Sequence, residues 1–159
     1  MIAVDTELRL DISDLYAAYV SCLDEGRFDD WPDFFIEDCQ YRIVARENYE
    51  RGLPLSIMDL QSRNALLDRV YGIQNTLFHA PYYQRHIVGP ARVIGRDSSG
   101  FAVECNYIVI RTKRDMPSEV FNAGRYMDHV VSTPEGLRFS RKVCVFDSEL
   151  IPNSIIYPL

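Results

Sequence analysis

The chain has 159 residues, 47% of them hydrophobic, and a formal net charge of −6. That length suits one domain, residues 1–159, with a sizeable core, while the acidic balance and scattered Arg and Lys disfavour nucleic acid or an anionic membrane as partner, since either requires a basic stripe. No apolar run approaches the roughly 20 residues that cross a bilayer, and Asp5 and Glu7 stand where a signal peptide would be basic and then apolar, so the sequence predicts a cytoplasmic protein.

Residues 11–25 set Ile12, Leu15, Tyr16, Tyr19, Val20 and Leu23 at helical spacing, with Asp11 or Ser13 as cap. Gly26 is placed to end this helix in the left-handed conformation. Asp29 or Asp30 can cap a short second helix, 31–36, whose apolar load is Trp31, Phe34 and Phe35. Asp38 is expected to turn the chain into a strand over 39–46, in which Tyr41, Ile43 and Ala45 alternate, and Asn48, Gly52 and Pro54 mark 47–54 as loop. Leu60, Leu66, Leu67, Val70 and Ile73 predict a third helix over 56–75.

Four long strand-like stretches follow, 83–97, 101–114, 119–132 and 137–150, joined by Asp97-Ser98-Ser99-Gly100, Asp115-Met116-Pro117-Ser118 and Thr133-Pro134-Glu135-Gly136. Those junctions carry turn chemistry and are too short for a parallel crossover, so consecutive strands pair antiparallel. Gly89-Pro90 and Gly124 are the candidate bulges. Helices first and strands afterwards predict an α+β domain, a curved, mostly antiparallel sheet wrapped around three helices as a cone.

A cone closed by helices can hold a pocket, and His86 with Asp24, Asp38 and Tyr41 could supply acid–base chemistry there. The plainer alternative has His86 hydrogen-bonding within the structure or at an interface and Asp38 capping a turn. His79, His86 and His129 with Asp128 are the residue types of an iron site, but their spacing does not write one. Cys22, Cys39, Cys105 and Cys144 form no Cys-x-x-Cys pair and read as reduced core thiols. The segment 78–85 gathers Phe78, His79, Tyr82, Tyr83 and Arg85 around Pro81, either as a contact surface or as a plug for the mouth of the cone.

The run from Leu23 to Tyr41, with its acid-rich turn, Trp31-Pro32-Asp33-Phe34-Phe35 and Asp38-Cys39-Gln40-Tyr41, resembles the small (beta) subunits of aromatic-ring-hydroxylating dioxygenases. Asp68-Arg69-Val70, Arg85-His86-Ile87-Val88-Gly89, Glu119-Val120-Phe121-Asn122-Ala123-Gly124-Arg125-Tyr126 and Val145-Phe146-Asp147-Ser148 extend the resemblance in order over nearly the whole chain. Within that family, Tyr83-Gln84-Arg85-His86 and Tyr157-Pro158-Leu159 are similar to small subunits acting on aromatic acids, those of terephthalate dioxygenase and salicylate 5-hydroxylase.

The resemblance implies a cone like that of nuclear transport factor two and scytalone dehydratase. It also implies a non-catalytic subunit assembled with a large (alpha) subunit into a three-plus-three hexamer for aromatic-compound degradation. On that expectation the Rieske 2Fe-2S cluster and mononuclear Fe(II) belong to the large subunit, electrons come from NAD(P)H through a reductase and ferredoxin, and this chain has no catalytic, cofactor or metal residue. The alternative is a stand-alone cone dehydratase or isomerase working through His86, Asp38 and Tyr41.

Overall fold

The computed structural model describes residues 4–148 and 155–159. The first helix, α1, runs Thr6–Asp24 and starts ahead of the predicted Asp11 because Asp5 caps it, its carboxylate accepting from the Leu8 amide at 2.7 Å. Its buried stripe is Ile12, Leu15, Tyr16, Tyr19, Cys22 and Leu23. Gly26, at φ 69°, then reverses the chain as the sequence requires. The next helix is a 3-10 turn, Phe28–Phe34, with Pro32 inside it, where an α-helical ladder would want an amide. Neither Asp29 nor Asp30 caps it; both lie in its first turn, and Asp30 pairs with Arg27 at 2.9 Å.

Strand β1, Phe35–Ala45, begins earlier than predicted, so Asp38 is not a turn residue but an exposed position inside the strand, within an irregularity between Phe35 and Gln40. The expected loop contains a one-turn helix, α2 (Arg46–Glu50), braced by Arg46–Glu50 at 2.8 Å and Arg51–Glu47 at 2.9 Å. The predicted third helix is also split. Its first part is an edge strand, β2 (Met58–Leu60), paired antiparallel with β1, and α3 (Arg63–Tyr71) starts only where the Ser62 hydroxyl caps Ala65 at 3.1 Å. A π-turn, Gly72–Thr76, finishes it.

The stretch 83–97 is two strands, β3 (Tyr82–Val88) and β4 (Arg92–Arg96), broken at Gly89-Pro90 and not merely bulged there, because Pro90 has no amide to continue a ladder. β5 (Phe101–Lys113), β6 (Glu119–Thr133) and β7 (Gly136–Phe146) complete the sheet; Glu149 and Leu150, the last of the predicted 137–150 strand, lie outside the described residues. The order is β2-β1-β7-β6-β5-β3, with β4 also on β5. Every pairing is antiparallel except β1 with β7, where Tyr41 faces Lys142 in parallel register. Such a pairing needs a long connection, and the whole intervening chain provides it.

α1 packs on β3 and β7 while α3 packs on β1 and the 3-10 turn, so the curved sheet encloses Trp31, Tyr41, Val103, Tyr107, Tyr126 and Phe139 in one core. Gly124 is no bulge. A Cβ there would sit 1.9 Å from the Val145 carbonyl oxygen, so glycine is what lets β6 approach β7, and the irregularities fall instead at Val109/Ile110 and His129/Val130. Among the described residues no helix is long and apolar enough to cross a membrane.

Candidate functional site

The mouth of the cone is filled by the chain itself. Residues 155–159 bury Ile155, Tyr157 and Leu159 in it, and side chains of the surrounding elements hold their backbone. The Arg69 guanidinium on α3 donates to the carbonyls of Ile155 at 2.9 Å and Ile156 at 2.7 Å, and Gln84 on β3 donates to that of Pro158 at 3.3 Å. Tyr19 on α1 donates to the Leu159 carbonyl at 2.8 Å, and the Leu159 amide donates to the Tyr41 hydroxyl on β1 at 2.8 Å. Tyr157 lies over Tyr82 at 4.4 Å between ring centroids and over Phe28 at 4.8 Å, with its hydroxyl 2.8 Å from Nε2 of His79.

The predicted acid–base group is only partly assembled. Asp24, at the end of α1, accepts from the His86 amide at 3.1 and 3.0 Å and lies 2.6 Å from its Nδ1, which orients the imidazole. Nε2 of His86 is buried and has no hydrogen-bond partner among the described residues. Asp38 is elsewhere, on the outer rim beside Gln61 and Arg141, because β1 carries it through the sheet surface. Tyr41 points inward but is engaged with Leu159. Asp24 and His86 therefore form a pair, and the predicted trio does not exist.

Inside the cone lies a cluster that sequence reasoning missed. Lys142 of β7 has a fully buried side chain 2.9 Å from Asp128 of β6, which also accepts from Tyr16 at 2.5 Å and from the Val143 amide at 3.1 Å. Four rings surround the ammonium, Tyr126 at 3.5 Å, Tyr19 at 4.4 Å, Phe139 at 4.6 Å and Tyr16 at 4.8 Å. Burial pushes the Asp128 carboxyl above its ordinary range, against the pull of Lys142, Tyr16 and the Val143 amide, and burial likewise drives the Tyr16 hydroxyl well up. The available signal was a lysine at an inward position of β7, ahead of Val143-Cys144-Val145-Phe146.

The other polar candidates are dispersed. His129 lies 2.6 Å from the Ser140 hydroxyl and 3.0 Å from Asp97, on the opposite face of β6 from Asp128, and His79 and His86 are committed to Tyr157 and Asp24. Cys22, Cys39, Cys105 and Cys144 are all buried and unpaired, with burial pushing the Cys105 and Cys144 thiols up to about 12.

The side chains of the segment 78–85 fall into two groups by burial and contact. His79 and Tyr82 hold Tyr157, whereas Phe78 is fully exposed, Tyr83 is 80% exposed and the Arg85 side chain is 73% exposed. Tyr83 borders an open groove of about 630 Å³ with Ala80, Pro81, Thr112 and Arg114. The apolar surface continues through Ile87 and its cross-strand partner Ile108.

The SnoaL-like domain family matches residues 4–143. The anthranilate 1,2-dioxygenase small subunit of Burkholderia cepacia is 32% identical over 155 residues, covering 98% of this chain and 96% of its own length. The beta 1 subunit of the terminal oxygenase component of terephthalate 1,2-dioxygenase from Comamonas sp is 27% identical over 94% of this chain and 97% of its own. A crystal structure assigned to the beta subunit of an aromatic-ring-hydroxylating dioxygenase from Novosphingobium aromaticivorans superposes with a TM-score of 0.87 at 32% identity, covering 96% of this chain and 97% of that one. Another from that organism, assigned to scytalone dehydratase, has the same cone fold, with a TM-score of 0.67 at 18% identity over 93% of this chain and 90% of its own.

Proposed function

We propose, for a chain that belongs to the SnoaL-like domain family and within it to the small (beta) subunits of aromatic-ring-hydroxylating dioxygenases, that its own task is structural. It holds large, catalytic subunits of a Rieske-type oxygenase in a three-plus-three hexamer in the cytoplasm, and by itself turns nothing over. The observation that carries this reading is the filled mouth of the cone. Ile155, Tyr157 and Leu159 take up the space a substrate would need, and Tyr19 and Tyr41 spend their hydroxyls on Leu159.

The Rieske 2Fe-2S cluster and the mononuclear Fe(II) then belong to the large subunit, with NAD(P)H as electron source through a reductase and ferredoxin. The arrangement of donors among the described residues supports that assignment. Among the described residues no three of His, Cys, Asp and Glu converge, and each histidine is committed to a different partner. Made alone, the protein should carry no stoichiometric iron and show no turnover, and it should copurify with its large subunit in fixed ratio. Stoichiometric iron or activity in the isolated chain would overturn the proposal.

On substrate, the relatives are named for anthranilate, terephthalate and 2-aminobenzenesulfonate, each a ring with an acidic group. This supports a complex that hydroxylates an aromatic carboxylate such as salicylate, terephthalate or anthranilate. Assaying the reconstituted complex on these and on naphthalene decides, and preference for the neutral ring refutes the assignment. A second reading, a dehydratase or isomerase, draws on the Asp24–His86 pair with its unpartnered Nε2, and turnover by the isolated chain is what would establish it.

The contact with the large subunit falls, on this proposal, on the exposed part of the segment, Phe78, Tyr83 and Arg85, while His79 and Tyr82 act through residues 155–159. Tyr83→Ala and Arg85→Ala should each weaken assembly by about 2 kcal/mol, measured by titrating the large subunit, with the thermal midpoint of the isolated chain unchanged. A lowered midpoint with intact assembly would move these two residues to the plug.

A further inference from the structure

We propose that the mouth of the cone is a peptide-binding site, which the chain fills in cis with residues 155–159. The backbone of this segment is held almost wholly by side chains. Carbonyls of Ile155, Ile156, Pro158 and Leu159 accept from Arg69, Gln84 and Tyr19, and the amides of Tyr157 and Leu159 donate to the hydroxyls of Tyr82, at 3.4 Å, and Tyr41. The contacts thus arrive from α1, β1, α3 and β3, four elements that build the framework with one another.

Two of the binding groups, Tyr19 and Tyr41, are also held in place independently of the segment. Tyr19 accepts from the Trp31 indole at 3.3 Å, and Trp31 stands edge-on to Tyr41 at 5.1 Å, so both hydroxyls are positioned by the core. Among the described residues the Arg69 guanidinium is bonded to the two backbone carbonyls and to no carboxylate. Ile155, Tyr157, Pro158 and Leu159 are buried and Ile156 is half-buried. Main-chain hydrogen bonds for affinity and side-chain pockets for specificity are how proteins read a short peptide. The ligand class is accordingly a short apolar peptide of the type Ile-Ile-Tyr-Pro-Leu, here supplied by the chain itself.

The test uses the full chain with a protease site inserted within residues 149–154 and cut after folding. The severed segment should remain bound, and a labelled Ile-Ile-Tyr-Pro-Leu peptide should exchange with it in a saturable way, followed by fluorescence anisotropy. The uncut chain should bind the same peptide at least tenfold more weakly, because its cis segment holds the site at high effective concentration. Peptides carrying Tyr157→Ala or Leu159→Ala should each lose at least tenfold. Removing the severed segment should lower the thermal midpoint, and added peptide should restore it in a concentration-dependent manner. A cut chain that keeps its thermal midpoint without the segment and takes up no peptide overturns the proposal. Equal binding to cut and uncut chains does so too, since it places any peptide site elsewhere, and a cut chain that unfolds and that saturating peptide does not rescue also counts against it.

Discussion

Replacing Lys142 by methionine is expected to destabilise the isolated chain by about 3–5 kcal/mol, because it leaves Asp128 buried beside an empty place where its cation stood. Both side chains are wholly inaccessible to water, so no solvent can take over the role of the ammonium. Four rings around Nζ add cation–π attraction that a methionine returns only as weaker sulfur contacts. Combining Lys142→Met with Asp128→Asn removes the unpaired charge, keeps a carbonyl acceptor for the Val143 amide and turns an N–H towards the Tyr16 hydroxyl oxygen, and should recover at least half of the loss. Urea unfolding of the four variants closes the double-mutant cycle. A loss below about 1 kcal/mol for Lys142→Met alone would refute the account.

The pH dependence gives the same variant a second readout. Burial already holds the Asp128 carboxyl above its unfolded value, and loss of Lys142 removes the largest opposing influence. A folded-state pKa above the unfolded one means that the folded protein binds more protons between the two, so stability falls as pH rises through that window. The penalty of Lys142→Met should therefore be smallest near pH 4 and go on growing towards neutrality, above the pH at which the penalty for losing an exposed ion pair has already levelled off.

Trp31→Ala is the second large effect, expected at about 3–5 kcal/mol, or on the order of 10 °C in the thermal midpoint for a chain of this size. Trp31 is completely buried and meets Tyr41 and Phe35 edge-on at 5.1 and 5.8 Å. Its indole also donates to Tyr19, so the substitution loosens both hydroxyls that receive Leu159. Trp31→Phe, which keeps a ring but no donor, should cost less in stability while still weakening the hold on residues 155–159. Amide hydrogen exchange at Leu159 distinguishes the two effects, and unchanged protection in Trp31→Ala would separate the indole from the mouth of the cone.

Local sequence was sufficient wherever a residue's own chemistry or near neighbours decide the outcome. The spacing of Ile12, Leu15, Tyr16, Tyr19 and Leu23 fixes one helical face, Gly26 alone allows φ 69°, and the short turns after β5 and β6 force antiparallel neighbours. The family was legible too, because Trp31-Pro32-Asp33-Phe34-Phe35 and Arg85-His86 keep their order along the chain. Tertiary structure decided what depends on distant partners. Met58–Leu60 is a strand only because β1 offers an edge to pair with, and β1 lies parallel to β7 only because the whole chain between them serves as the crossover. Asp24 with His86, Lys142 with Asp128 and Leu159 with Tyr19 and Tyr41 are each joined across sequence separations that no local period records. Asp38 and Asp24 look alike in sequence, yet the pleat of β1 sends one to solvent while the end of α1 brings the other under His86, and that difference in burial decides which carboxylate finds a partner.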